Sequence, residues 1–357
     1  MSMQKETIRI TQADLFSADV ESQLKLQATM RRDIDEVPPQ PLVIRILYSS
    51  WFYLAVSSGL GALVAWAILE PFFDDNALVE GPDVAQFLLF PTVAGAIGLF
   101  LGASEGLMCR NLGRATTCGA VGLGIGFGGG LVALFAAGII FSVMTEIAAG
   151  FVDTSTQPGE MPTGFALLIL MMGRAAAWSV ASIPAGLGQG LALRDKKIAI
   201  NGVVGGVLGG MVGGFLFDPI SIVLVTDDGQ AAASRAVGFT IIGMMVGLFV
   251  GLVEGWTKTA WLLMRQGPLA GKQFVLFRDV TILGSSPKAE IYLFKDDAIE
   301  PRHAIIHNRG GRFEIEDCNT QDGTYVNGIP IHTHILKSGD QIVTGKTVLE
   351  FSVKESK

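Results

Sequence analysis

Four polar side chains lie inside or near the ends of long apolar stretches, where either chemistry or packing must explain them. Arg174 lies about ten residues into one stretch, and Glu105, Gln189 and Glu254 lie near stretch ends. A basic residue at the middle of a membrane helix costs about 2.5 to 3.5 kcal/mol, so Arg174 must face protein or water. The set either lines a path for a substrate or ion, or forms a packing pair in which one carboxylate neutralises Arg174. The scarcity of other polar residues in mid-stretch favours packing.

Other chemistries find little support in the sequence. Cys109, Cys118 and Cys318 are isolated, and His332 and His334 lack acids or cysteines at ligand spacing, so we expect no metal site. No phosphate-binding G-x-x-x-x-G-K-[ST] sequence occurs. We expect neither an enzyme nor a cofactor, and the net charge of -7 argues against nucleic-acid binding.

Short alternating segments follow residue 268, and turn markers such as Asn327-Gly328 separate them, which predicts a β-sandwich. Within this region stand Glu300-Pro-Arg-His303 and Thr320-Gln-Asp-Gly-Thr-Tyr-Val-Asn-Gly328. This pairing resembles the signature of forkhead-associated (FHA) domains. The resemblance implies a β-sandwich that binds phosphothreonine peptides through loops at one end. It also implies structural roles at Gly284, His303, Gly323, Thr324 and Gly328, with His303 bracing the loops.

The positions that contact phosphate in the FHA family correspond to Ser285, Glu300 and Thr320, and Asp322 replaces the family's asparagine. Loss of an arginine and gain of two acids shifts the local charge by three units, whereas phosphothreonine carries about -1.5 to -2. Lys288 and Arg302 lie near the same loops and could compensate. Asn327 completes the peptide-binding set implied by the resemblance. The partner is a cytoplasmic protein, bound either through phosphothreonine or independently of phosphate, including a basic partner.

Six apolar stretches can each cross a hydrocarbon core about 30 Å thick: residues 46–69, 84–108, 118–143, 164–193, 198–217 and 237–256. Basic residues precede the first stretch and follow the second, fourth and sixth. The alternate connections are acidic; they include Glu70 and Asp218, and Arg235 is their only basic residue. The positive-inside rule then places both termini in the cytoplasm. We expect an integral protein of a prokaryotic plasma membrane, embedded in the lipid bilayer.

Small residues recur every four positions in the odd-numbered stretches, as in Gly122, Gly126 and Gly130. The ladders of the first and fifth stretches comprise Ser57, Gly61 and Ala65, and Gly205, Gly209 and Gly213. The even-numbered stretches end alike, in Gly102–Gly106, Gly186–Gly190 and Gly251–Gly255. These patterns predict three parallel two-helix repeats, unless glycine-rich helices resemble one another by composition alone. The same faces could also hold a homo-oligomer together.

The predicted fold class is therefore multi-domain: an α-helical six-span membrane bundle followed by an all-β FHA-like sandwich. Residues 1–45 form a cytoplasmic segment with a weakly amphipathic helix, 46–264 the membrane domain and 265–357 the FHA-like domain. The predicted function is a membrane-anchored adaptor or scaffold in signalling. The alternative is a small transporter or channel that the FHA-like module regulates.

Overall fold

The computed structural model describes residues 40–73, 84–152, 162–224 and 232–354. The chain divides into a helical unit, Leu42–Thr259 with Val275–Arg278, and a second unit that contains Ala260–Phe274 and Asp279–Lys357. The amphipathic helix predicted in the N-terminal segment lies outside the described residues.

The described part of the helical unit contains eight α-helices, and a short 3₁₀ helix, Glu70–Phe72, follows the second of them. They are α1 (Leu42–Leu47), α2 (Ser50–Leu69), α3 (Val84–Met108), α4 (Leu112–Ala149), α5 (Gly164–Ala181), α6 (Ile183–Leu193), α7 (Lys196–Leu224) and α8 (Ala232–Thr257). Six helical segments are long and apolar enough to cross a membrane, with α5 and α6 forming the fourth. The prediction of six such segments is confirmed. The fourth is divided at Ser182, because Pro184 in the first turn of α6 has no backbone N–H to continue the helix.

Each of these segments packs against its neighbours in the chain, and the last returns to the first. Helix α3 lies between α2 and α4, the α5–α6 segment between α4 and α7, and α8 packs against both α7 and α2. The six segments therefore form a closed ring.

Glycines let the helix backbones approach closely. Gly122 and Gly126 of α4 face the carbonyl groups of Gly98 and Ala94 in α3, and Gly209 of α7 faces Met245 of α8. An added Cβ at any of the three would collide with backbone. The predicted ladder glycines covered in this way are Gly61, Gly122, Gly126, Gly130, Gly205, Gly209 and Gly213. These faces are occupied within the chain, so a homo-oligomer contact through them stays a prediction without structural support.

The second unit consists of two β-sheets. The strands are β1 (Ala260–Gln266), β2 (Gln273–Val275), β3 (Val280–Gly284), β4 (Ile291–Tyr292), β5 (Ala304–Arg309), β6 (Arg312–Asp317), β7 (Thr324–Val326), β8 (Ile329–Ile331), β9 (Thr333–Ile335), β10 (Gln341–Thr344) and β11 (Thr347–Val353). One sheet has the order β2-β1-β11-β10-β7-β8, and the other has β4-β3-β5-β6-β9. All pairings given for these sheets are antiparallel except β3 with β4.

Alternate residues of both sheets form the core of this unit. Ile315 and Phe351 are fully buried, and the rings of Phe313 and Phe351 lie 5.3 Å apart between their centroids. The predicted β-sandwich is confirmed. Its first strand begins at Ala260, inside the range assigned from sequence to the helical domain.

Candidate functional site

Three loops meet at one end of the sandwich: residues 285–289 after β3, 300–303 before β5, and 318–323 between β6 and β7. We call them the three-loop surface. Glu300 joins them, because its carbonyl oxygen accepts the Ser285 N–H at 2.9 Å and its carboxylate Oε1 accepts the Gln321 N–H at 2.9 Å. The positions predicted from the FHA resemblance are thus brought together at Ser285, Glu300 and Thr320.

His303 connects two of these loops from beneath and is fully buried. Its Nδ1 accepts the Glu300 N–H at 3.2 Å, which leaves the proton on Nε2. Nε2 then donates to the Gly323 carbonyl oxygen at 3.2 Å. The loop-bracing role implied by the resemblance agrees with this geometry.

Asp317, at the end of β6, organises the third loop. Its carboxylate accepts the Thr320 N–H at 3.1 Å, the Thr320 hydroxyl at 2.9 Å and the hydroxyl of buried Thr324 at 2.7 Å. Burial by itself would raise the pKa of Asp317, but the hydrogen bonds from Thr324 and Thr320 outweigh it and hold the pKa below its usual value. Asp317 therefore stays charged at neutral pH and directs the Thr320 hydroxyl inward.

Backbone conformation explains the predicted structural glycines. A Cβ on Gly284 would collide with the Pro301 carbonyl oxygen, so only glycine lets the first two loops touch. Gly323 and Gly328 have φ values of 69° and 78°, which lie in the left-handed region.

Four predicted contact residues remain, of which three lie on the three-loop surface and the fourth, Asn327, lies in a different turn. Lys288, Arg302 and Asp322 are exposed on the three-loop surface. Burial raises the pKa of the Cys318 thiol, and the nearby positive charge of Arg302 partly offsets that rise.

Asn327 has a different setting, in the tight turn between β7 and β8. Its side-chain amide donates to Asp340 Oδ1 at 2.8 Å, and its Oδ1 accepts the Gln341 N–H at 2.9 Å. These bonds fasten the turn to the start of β10, so the geometry indicates a structural position. Its role in binding stays a prediction.

Sequence reasoning missed Asp317 and Gln321. Asp317 carried a signal, since an acid three residues before a threonine often accepts that residue's N–H. Gln321 contributes only a backbone N–H, which no residue type reveals.

In the helical unit, Arg174 pairs with Asp218, and not with Glu105 or Glu254 as the sequence suggested. Arg174 Nε lies 2.9 Å from Asp218 Oδ1, and Asp218 is only 1% exposed. The contact is an ion pair whose atoms are not aligned for a hydrogen bond. The rings of Phe141 and Phe217 lie 5.0 and 4.8 Å from the guanidinium.

The assignment of Asp218 to an outward loop is wrong. Helix α7 continues through Pro219 to Leu224 and buries Asp218, because apolar helices tolerate a proline when neighbouring segments satisfy the freed backbone group. Glu70 and Arg235, also assigned to loops, lie in the 3₁₀ helix and in α8. They form a bidentate ion pair, in which Arg235 Nε lies 3.0 Å from Glu70 Oε2 and Arg235 Nη2 lies 2.5 Å from Glu70 Oε1.

The other predicted polar residues lie near helix ends. Glu105 lies 3.6 Å from Arg114 Nη2, and Gln189 is buried in α6. Glu254 lies half-buried in the last turn of α8. No group of three or more metal-ligating side chains occurs in the described ranges.

Comparison with known proteins places the β unit in a family. The FHA-domain family model matches residues 281–345, and the chain belongs to the FHA-domain family through this region. The oxoglutarate dehydrogenase inhibitor of Corynebacterium jeikeium is 38% identical over 101 residues, which are 28% of this chain and 67% of that protein. The glycogen accumulation regulator GarA of Mycolicibacterium smegmatis is 37% identical over 100 residues, 28% of this chain and 63% of that protein. The chain thus spans about two thirds of the length of these relatives.

Solved FHA domains likewise match about a quarter of this chain, and the match covers nearly their whole length. The FhaA FHA domain, determined in complex with the intracellular domain of Rv3910, is 27% identical, with a TM-score of 0.25, covering 26% of this chain and 99% of that one. An FHA domain from Chlamydia trachomatis is 26% identical, with a TM-score of 0.26, covering 28% of this chain and 100% of that one.

Proposed function

We propose that this protein is a membrane-anchored adaptor, without catalytic activity, whose FHA domain binds a cytoplasmic protein through the three-loop surface. The observation that carries the proposal is the intact loop framework. His303 and Asp317 hold the loops from beneath, and the exposed residues Lys288, Glu300, Arg302 and Asp322 project from that framework. Rigid presentation of variable side chains on loops is typical of recognition sites.

The relatives support a binding role. The oxoglutarate dehydrogenase inhibitor and the glycogen accumulation regulator are regulators by name, and the FhaA structure is a complex with another protein's intracellular domain. FHA domains bind partner proteins that carry phosphothreonine, so a signalling partner is the natural expectation for this chain as well.

The six apolar helical segments supply the anchor. Cationic residues in the connections that follow the second, fourth and sixth segments favour a cytoplasmic location for both termini in a prokaryotic plasma membrane. The FHA domain would then face the compartment where protein kinases act.

Three parallel two-helix repeats account for the ring. In the first and third repeats an acid followed by proline, Glu70-Pro71 or Asp218-Pro219, pairs with an arginine of the preceding helical segment in the ring, Arg235 or Arg174. The same relation at two places is what a repeated arrangement predicts. The middle repeat has no acid-proline pair in its sequence.

The alternative of a transporter or channel rests on Arg174. Its pairing with a carboxylate that is 1% exposed, between two aromatic rings, favours a packing role over a path. We therefore place the recognition function in the FHA domain.

The test is affinity purification of the full-length chain from native membranes with charge-reversal variants. Glu300→Lys alters the three-loop surface, whereas Asp279→Lys places the same change at the opposite end of β3. We expect Glu300→Lys, and not Asp279→Lys, to lose a co-purifying protein. Equal recovery of every co-purifying protein by both variants would contradict the proposal.

A further inference from the structure

The Glu300 carboxylate occupies a place on the three-loop surface where an external anion would otherwise find a donor. Its Oε1 already accepts the Gln321 N–H at 2.9 Å, while the residue itself remains exposed. A loop N–H that faces solvent is one of the groups with which proteins bind phosphate. Here that group is used by a side chain of the same chain.

The main-chain bonds of Glu300 hold it in this place. Its N–H donates to buried His303, and its carbonyl oxygen accepts the Ser285 N–H. The side chain therefore starts from a fixed point between the loops and reaches Gln321 without free movement of the backbone. The carboxylate is a built feature of the surface.

Overall charge does not decide what this surface binds. The exposed side chains of the loops include two cations, Lys288 and Arg302, and two anions, Glu300 and Asp322, which cancel. A third anion, Asp317, is buried and already accepts three hydrogen bonds. Arg302 precedes His303, whose carbonyl oxygen accepts the Cys318 N–H at 3.0 Å, so Arg302 lies at the base of the third loop. The preference must come from the local chemistry around Glu300.

The chemistry around Glu300 favours a ligand group that donates hydrogen bonds. An ionised carboxylate offers acceptor sites only, and one of the sites on Glu300 is filled. A phosphate group is also an acceptor and carries about -1.5 to -2 charges, so it would be repelled by Glu300 and find no free Gln321 N–H. An arginine or lysine side chain would instead form a charge-assisted hydrogen bond with the remaining acceptor sites.

Resting on the proposed function, we infer that the FHA domain recognises an unphosphorylated segment of its partner through a basic side chain that pairs with Glu300. The ligand is a peptide segment with arginine or lysine where an ordinary FHA ligand carries phosphothreonine. Phosphorylation of a neighbouring residue of the partner would weaken the complex.

The experiment measures binding of four peptide libraries to the full-length chain purified in detergent micelles. The libraries are capped nonapeptides with randomised flanks that differ only in the central residue: arginine, threonine, phosphothreonine or glutamate. We expect the arginine library to bind about tenfold more tightly than the phosphothreonine library, the size of effect that one good charged contact gives.

Two variants assign the preference to Glu300. Glu300→Gln keeps an acceptor for the Gln321 N–H but removes the charge, and should weaken arginine-library binding about tenfold. Glu300→Ser frees that N–H and should raise binding of the phosphothreonine library. Asp279→Asn, at the far end of β3, removes one negative charge elsewhere and should change neither.

The outcomes separate the inference from the function on which it rests. Tighter binding of phosphothreonine than of arginine by the unchanged chain would overturn the inference and leave the adaptor function standing. The inference would also be overturned if Glu300→Gln left binding of the arginine library unaltered. If no library binds and no protein co-purifies from membranes, both the inference and the proposed adaptor function are contradicted.

Discussion

Two buried carboxylates show how differently the two units of this protein manage charge. Asp218, in the helical unit, is 1% exposed and faces one arginine without an aligned hydrogen bond. Asp317, in the FHA domain, is 8% exposed and accepts three hydrogen bonds from two threonines. An apolar helix has few spare donors, because its backbone N–H groups are bonded within the helix. A loop has free N–H and hydroxyl groups, and it can surround a carboxylate with them.

The same difference extends to packing. The helices touch through glycines whose Cα atoms meet the carbonyl groups of the next helix, whereas the sandwich interleaves larger side chains such as Phe313 and Phe351. The helical unit should therefore be intolerant of added volume at the contact positions, and the FHA domain should be intolerant of lost hydrogen bonds at the loops.

The largest loss of stability is expected from Gly126→Leu in α4. Its side chain would collide with the backbone of α3 around Ala94, and overpacking against backbone should destabilise the helical unit by about 3 kcal/mol or more. Gly124→Leu, two residues away on the same helix, has nothing within 4 Å and serves as the matched control. Hydrogen exchange would report the helical unit and the FHA domain separately. Equal effects of the two substitutions would disprove the described contact.

The next predicted loss of stability concerns the buried ion pair between Arg174 and Asp218. Asp218→Ala leaves the Arg174 guanidinium without its counter-charge and should cost about 3 to 5 kcal/mol in thermal or chemical unfolding of the micelle-bound chain. The double variant Arg174→Leu with Asp218→Leu should recover most of the loss, because it removes both charges. A comparable loss in the double variant would show that the pair itself, and not an unpaired cation, matters.

These two regions also differ in how much the sequence could reveal. Six apolar helical segments follow from length and hydropathy, and the FHA sandwich follows from Glu300 to His303 and Thr320 to Gly328, since those residues fix turns and loop contacts. The partner of Arg174 did not follow. The sequence Asp218-Pro219 looks like the end of a helix, because proline usually interrupts the backbone ladder. Only the packing of α7 against α5 shows that the helix continues and buries the acid.

The candidate site was predicted in part. Ser285, Glu300 and Thr320 could be aligned with the family pattern, and they do meet. The bond from Gln321 to Glu300 could not be foreseen, because the Gln321 N–H is common to all residues except proline. Its use depends on loop geometry, and this bond favours a basic partner over phosphothreonine, two alternatives that the sequence left open.

A smaller effect is expected from Asp317→Asn, which tests the hydrogen-bonded carboxylate. Since the pKa of Asp317 is lowered by folding, its charge stabilises the folded state above the unfolded pKa of about 4, and that stabilisation is lost as pH falls through the lower folded pKa. Asn should reduce the stability of the FHA domain by about 1 to 3 kcal/mol at pH 7 and flatten its dependence on pH below 4. Hydrogen exchange of the domain between pH 3 and pH 7 would show this. Asp322→Asn, on the exposed part of the same loop, is the control, and equal pH profiles for the two variants would contradict the assignment.

The smallest effect separates the framework of the FHA domain from its binding surface. Asn327 has φ 52° and makes two side-chain hydrogen bonds, to Asp340 and Gln341. Asn327→Gly keeps the left-handed conformation easily and loses only those bonds, at about 1 kcal/mol, whereas Asn327→Ala should cost about 1 kcal/mol more because of its backbone conformation. Neither should change affinity for the arginine peptide library at a temperature where the domain is folded. If Asn327→Gly lowered that affinity tenfold while leaving stability intact, the turn between β7 and β8 would belong to the binding surface, and the division between framework and site drawn at the three-loop surface would have to move.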